Sequence, residues 1–187
     1  MIRAGLQGIA GPVRSARVTC LSVARILILG GGCRGLQLAE AMIDDGHAIR
    51  ITTRAEAGRA AIERVGAECW LGTPDRLATL RGALDSVTIV CWLLGTAQDS
   101  PAGLRALYST RLALFLTQAI DTTVRGLLYE ANGTVTPAEL LSDGARMVKA
   151  HCTLNAIPAA FLSADPRQLG AWSSEAGGAV RALLSRA

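Results

Sequence analysis

"RILILGGGCRGLQLAE", residues 25–40, is the stretch from which the fold can be read. Four apolar residues, Ile26 to Leu29, run into Gly30, Gly31 and Gly32, followed by Cys33, Arg34 and Gly35, after which the apolar spacing turns helical. A short apolar run that ends in glycines and gives way to a helical period reads as a strand, a tight turn and a helix N-terminus. Gly30, Gly32 and Gly35 also keep the G-x-G-x-x-G spacing. In that setting the first glycine permits the sharp turn, the second lets a pyrophosphate approach the backbone, and the third lets helix and strand pack closely. The unpaired N–H groups and the dipole of the helix then favour a phosphate. The plainer alternative is a tight turn that serves no ligand.

Working outward, short β-branched runs alternate with stretches of helical spacing, the pattern of βαβ units on a parallel sheet. Strands are expected at 26–30, 47–53, 67–71, 87–94, 124–131 and 157–163. Helices are expected at 33–45, 55–65, 75–84, 101–121, 137–155 and 167–185. Gly46 and Gly66 follow the first two helices, and Thr136-Pro137 with Glu139 reads as an N-cap with proline at the first helical position. Strand 87–94 is apolar at nearly every position, so helices should cover both its faces and it should lie centrally, beside the first strand. The segment 101–121 is apolar around most of its circumference, which predicts either deep packing or contact with another subunit.

Composition narrows the function. Half of the 187 residues are hydrophobic, enough for one sizeable core and one domain over 25–187. The net charge of +4 comes from Arg3, Arg14, Arg17 and Arg25, a stretch without acids; the remaining basic residues balance the acidic ones. With few aromatics and no basic helix, a nucleic-acid surface is not expected. Residues 1–24 read as a poorly ordered extension or the product of an upstream start codon, although an arginine-rich start also fits a transit peptide. No apolar run approaches the roughly 18 residues that span a bilayer. Cys20, Cys33, Cys69, Cys91 and Cys152 are odd in number and show no metal spacing, which suits a reducing cytoplasm and predicts no metal site.

The end of the second strand addresses the cofactor. A fold that prefers NAD places an acid there against the ribose 2'-hydroxyl. Here the residues are Thr52, Thr53 and Arg54, and a hydroxyl followed by a guanidinium suits a 2'-phosphate. NADP is therefore expected over NAD, with Arg34 as a second cation for the same phosphate.

With these residues in view, the chain resembles the atypical and extended short-chain dehydrogenase/reductase proteins, in particular their NmrA-like and epimerase-like branches, over residues 25 to about 165. The resemblance rests on "GHAIRITTR", "GTPDRLATLRGALDSVTIVCWLLG" and "KAHCTLNAIPAAFLSADP" beside the glycine turn. It implies a single doubly wound α/β (Rossmann) domain with a parallel six-stranded sheet in the order 3-2-1-4-5-6. It also implies that Gly30, Gly32, Cys33, Arg34 and Gly35 surround the pyrophosphate, that Thr53 and Arg54 lie near the adenosine ribose, and that Leu94, Gly95 and Thr96 lie beside the cofactor. Trp70 and Trp92 should stand near the cofactor edge. The family's Gly-Asp after strand three is Gly72-Thr73 here, so adenine recognition should differ, and Leu29 departs from the more frequent G-x-x-G-x-x-G.

The larger departure is catalytic. The family uses Tyr-x-x-x-Lys on the helix after strand five, the lysine lowering the tyrosine pKa for proton transfer. Lys149 is the chain's lysine, and four residues before it stands Ala145. The family serine is likewise missing, its place taken by Ala131 and Asn132, while Tyr108 and Tyr129 read as packing residues. Pocket candidates are Thr96, Glu130, Asn132 and Lys149. The expected function is either an NADP-dependent oxidoreductase or epimerase-like enzyme on a small organic substrate with another proton donor, or a non-catalytic NAD(P)H-sensing module. A regulatory domain of the potassium-transport type shares the glycine spacing but usually keeps the acid after strand two. Beyond strand six only a closing helix is legible, which predicts a shallow pocket or one completed by a second subunit. The helices at 101–121 and 137–155, with Leu112 in the contact, would then make a homodimer.

Overall fold

The computed structural model describes residues 23–30 and 32–187, so the expected extension over 1–24 lies almost wholly outside the described residues. Six strands form one sheet: β1 (Arg25–Leu29), β2 (Ala48–Thr53), β3 (Glu68–Leu71), β4 (Ile89–Trp92), β5 (Gly126–Glu130) and β6 (Ala159–Leu162). Their order is β3-β2-β1-β4-β5-β6, every pair is parallel, and β4 lies beside β1 with Leu29 opposite Trp92. The doubly wound α/β (Rossmann) architecture read from the sequence is therefore the one formed. Ala24 already belongs to the sheet edge, since its carbonyl accepts from the Ala48 N–H at 2.9 Å.

Strand alternation divides the core into two layers. Ile26 and Ile28 of β1, with Ile89 and Cys91 of β4, face α1 (Cys33–Asp44), α2 (Arg59–Arg64) and α6 (Leu169–Leu184). Leu27 and Leu29, with Val90 and Trp92, face the other layer, built from α4 (Leu112–Ile120) and α5 (Ala138–Leu154) with the turn that leads into α4 from α3 (Pro101–Ala106). Each fully buried leucine or isoleucine side chain stabilises the fold by about 1.5–3 kcal/mol.

Four expectations are corrected. The segment 75–84 is not an α-helix but two 3-10 turns, Leu77–Leu80 and Gly82–Leu84. The Trp70 indole N–H takes the Thr79 carbonyl that an α-helix would use, and the buried Arg50 gathers the carbonyls of Gly82, Ala83 and Asp85 at the end of the segment. The segment 55–65 opens with a 3-10 turn, Glu56–Gly58, ahead of α2. Thr136 does not cap α5, which begins at Ala138 with the extended Pro137 in the capping position and no side-chain cap. Finally, α3 and α4 are joined by a π-helical turn, Leu107–Arg111, and the apolar circumference of this long segment is explained by deep packing. Leu112 is fully buried in that core and therefore faces the sheet, not a neighbour, whereas Leu114 is 57% exposed.

Candidate functional site

A cleft of about 470 Å³ opens at the carboxyl ends of β1, β2, β3 and β4, where the strand order reverses direction around β1 and β4. Ligands of open α/β sheets bind at such a crevice. Its floor is the glycine turn. Gly30 has φ +109°, and a β-carbon there would stand 2.3 Å from the Leu93 carbonyl oxygen, so only glycine lets the chain turn beneath the end of β4. Gly32, at the N-cap of α1, would meet nothing within 4 Å. Among the described residues no side chain caps α1, and no acid lies in its first turn, so its leading N–H groups are left for a ligand of the cleft.

At the β2 end, Thr53 and Arg54 both line the cleft. The Thr53 hydroxyl is engaged with its own turn, donating to the Ala55 carbonyl at 3.1 Å. Arg54 is exposed and has no acidic partner among the described residues. The β3 end contributes Gly72, Thr73, Pro74 and Asp75. Although Thr73 replaces an acid, its hydroxyl donates to Asp75 at 3.2 Å, so a carboxylate returns to this wall two residues later. Asp75 is ion-paired with Arg111 of the π-helical turn, whose guanidinium also stands 3.9 Å from Asp99 on the opposite wall.

Arg34 does not turn toward Arg54 and the β2 end, as expected for a second 2'-phosphate cation. Its Nη2 donates to Thr96 Oγ1 at 3.0 Å and to Glu130 Oε1 at 3.3 Å, and the guanidinium lies 5.3 Å from the Trp172 ring centroid. Glu130 draws it there: the carboxylate is fully buried behind the cleft wall. Burial pushes the Glu130 carboxyl above the usual range, opposed by the Gly95 N–H, the Arg34 charge and the Trp172 indole N–H.

The remaining sequence candidates divide. Leu94 and Thr96 line the cleft, as do Cys33 and Gly35, but Gly95 does not: its N–H donates to Glu130 at 2.7 Å. Glu130 and Asn132 are not cleft walls either. Asn132 closes the loop after β5, its Nδ2 donating to the Ser163 carbonyl at 3.0 Å and its Oδ1 accepting from the Gly133 N–H. Lys149 is exposed on α5 and does not line the cleft, because the buried stripe of that helix is Leu141, Gly144, Val148 and Cys152. The Tyr108 and Tyr129 hydroxyls donate to the Leu94 and Leu141 carbonyls at 2.5 and 3.0 Å, and burial pushes both phenols up. Trp70 and Trp92 do not line the cleft. Trp92 packs on Phe115 inside the core, and Trp70 covers Arg50. The tryptophan of the cleft is Trp172, on α6, which sequence reading missed. Asp75, Gln98, Asp99 and Leu107 were missed as well, and only Asp75, two residues past Gly72-Thr73, left a local signal.

No family description matches the chain, and no curated protein matches it either. Solved structures do. A short-chain dehydrogenase/reductase superfamily protein from Agrobacterium tumefaciens with bound NAD superposes with a TM-score of 0.60 at 17% identity, over 73% of this chain and 48% of its own. UDP-glucose 4-epimerase from Thermotoga maritima with UDP-glucose gives 0.61 at 14%, over 73% and 54%. Citrobacter sp. triphenylmethane reductase complexed with NADP(H) gives 0.56 at 16%, over 73% and 48%. The chain thus spans about half the length of the structures it matches. At these identities the shared property is the fold, the doubly wound α/β (Rossmann) architecture.

Proposed function

We propose that the cleft binds a nicotinamide dinucleotide, NADP(H) in preference to NAD(H). The carrying observation is the pairing of two features on one cleft: an uncapped α1 behind an open Gly32, and an Arg54 without an acidic partner at the end of β2, where a preference for NAD would require a carboxylate. The comparisons support the reading through two neighbours of the same fold, one with bound NAD and one complexed with NADP(H). Titration with NADPH and NADH, reading energy transfer from Trp172 to the dihydronicotinamide, tests it. Saturable binding with NADPH at least about tenfold tighter is expected from one charge-assisted contact. No binding of either dinucleotide would leave the glycine turn a purely structural device.

Whether the bound cofactor reacts is a separate matter. An NADP-dependent oxidoreductase acting on a small organic substrate is one reading, and a dinucleotide-sensing module is the other. The second is favoured by a specific observation: Ala145 stands where the proton donor would be, Lys149 faces away from the cleft, and both tyrosine hydroxyls are committed to backbone carbonyls. Stable NADPH absorbance across a panel of aldehydes, ketones and quinones is the outcome a sensing module gives; steady consumption with any of them would establish the enzyme. We also propose a homodimer through the outer faces of α4 and α5, where Leu114 and Leu154 are 57% and 83% exposed.

A further inference from the structure

We propose that Glu130 is a positioning residue of the cleft: from behind its wall it holds the Arg34 guanidinium so that the remaining donors meet one phosphoryl group of the bound dinucleotide. The inference rests on the dinucleotide reading and adds a residue that the ligand does not touch. Glu130 accepts from three separate elements: the Gly95 N–H after β4 at 2.7 Å, the Trp172 indole N–H on α6 at 2.9 Å, and Arg34 on α1 at 3.3 Å. The chain gives way to it. A β-carbon on Gly95 would stand 2.9 Å from the Glu130 carboxylate and 2.4 Å from the Asn132 carbonyl oxygen.

This arrangement fixes Arg34 on one edge and one face. Nη2 is used by Thr96 and Glu130, and the Trp172 ring covers a face of the guanidinium. Nε is buried without a partner, and Nη1 makes no hydrogen bond among the described residues. A guanidinium carries five N–H donors in a rigid plane, so donors remain on the side away from Glu130. Arg34 itself lines the cleft beside Gly32 and Gly35, where the uncapped start of α1 favours phosphate. An unrestrained arginine would lose rotamer entropy on binding. Glu130 imposes that order before the ligand arrives. Tying together β4, β5, α1 and α6 would be a purely structural role, and it predicts a different result.

The test is a double-mutant cycle on the full chain, read by calorimetric titration with NADPH. Arg34→Leu should weaken binding about 10–100-fold, the range of one to two hydrogen bonds to a charged group, and Glu130→Gln about tenfold. In the Arg34→Leu background, Glu130→Gln should have no further effect, because nothing is left to position. Independent, multiplying effects would overturn the proposal, as would wild-type affinity in Glu130→Gln. Should Glu130→Gln fail to fold, Arg34→Lys carries the test. It keeps the charge but loses the planar fork that Glu130 holds, so affinity as weak as that of Arg34→Leu is expected and wild-type affinity sinks the idea. Wild-type protein that binds neither NADPH nor NADH removes the dinucleotide reading and this inference together. NADPH binding without coupling removes the inference alone.

Discussion

A β-carbon on Gly35 would stand 2.3 Å from the carbonyl oxygen of Gly30, so the first turn of α1 is pressed against the end of β1. Gly32, between them, would meet nothing within 4 Å and has φ −66°, which any residue adopts. The two substitutions should therefore separate folding from binding. Gly35→Ala should cost about 1–3 kcal/mol through overpacking, read as a lower urea midpoint. Gly32→Ala should leave the midpoint unchanged and abolish NADPH binding, because the methyl group occupies the phosphate approach. A Gly32→Ala protein that still binds tightly would place the ligand elsewhere.

Arg54 is the cation of the cleft rim without an acidic partner among the described residues. Arg54→Ala should weaken NADPH by roughly 10–100-fold, the range for a lost hydrogen bond to a charged group, and leave NADH within about twofold. Equal loss for the two cofactors would show that Arg54 does not read the 2'-phosphate.

Glu130 gives the fold a pH dependence of defined sign. Burial raises its pKa from 4.5 in the folded protein, so the unfolded chain releases this proton first. The stability contributed by the protonated form is full below 4.5 and is lost as pH rises through the raised value. Urea denaturation from acid to neutral pH should show the wild type losing stability relative to Glu130→Gln as pH rises. Parallel curves would mean that the Gly95, Arg34 and Trp172 donors fully offset the burial.

Cysteine labelling should report on the cleft. Cys33 is exposed on its wall, whereas burial pushes the thiols of Cys91 and Cys152 up to about 12 and about 11. A thiol reagent should modify Cys33 in the native protein and reach Cys91 and Cys152 only on unfolding. Saturating NADPH should slow modification of Cys33. An unchanged labelling rate under saturation would put the dinucleotide away from the α1 N-terminus.

The proposed dimer is tested at Leu114, not Leu112. Leu114→Glu should give a monomeric mass by light scattering while circular dichroism shows the chain still folded. Leu112→Glu would bury a carboxylate in the core and unfold the chain, whatever its oligomeric state. An unchanged mass for Leu114→Glu would remove this face as the interface.

Much of the scaffold was legible because its causes are local. Apolar strands, glycine turns and helical spacing lie within windows of a few residues, and crossover rules for parallel sheets leave few ways to order them. The glycine turn opens α1 at Cys33 as the spacing implied, and Thr53 and Arg54 line the cleft at the end of β2. Where segment reading failed, a distant side chain had intervened. Over 75–84, Trp70 took the Thr79 carbonyl that helical spacing would have used, and Arg50 gathered the carbonyls at the segment's end.

The sequence by itself determined the alternation of strands and helices, the apolar faces of the sheet and the glycine turn before α1, since these follow from periodicity and backbone sterics, while the strand order was what the family resemblance implied. Only the tertiary structure decided which groups face the cleft. Arg34 is drawn from the β2 end by Glu130, 96 positions away, and Trp172 closes the same cluster from the last helix. Lys149 and the tyrosines are turned elsewhere by the packing of the π-helical turn, α4 and α5. Charge compensation and stacking act through space between residues that share no window of sequence, and burial exists only once both helical layers have closed on the sheet.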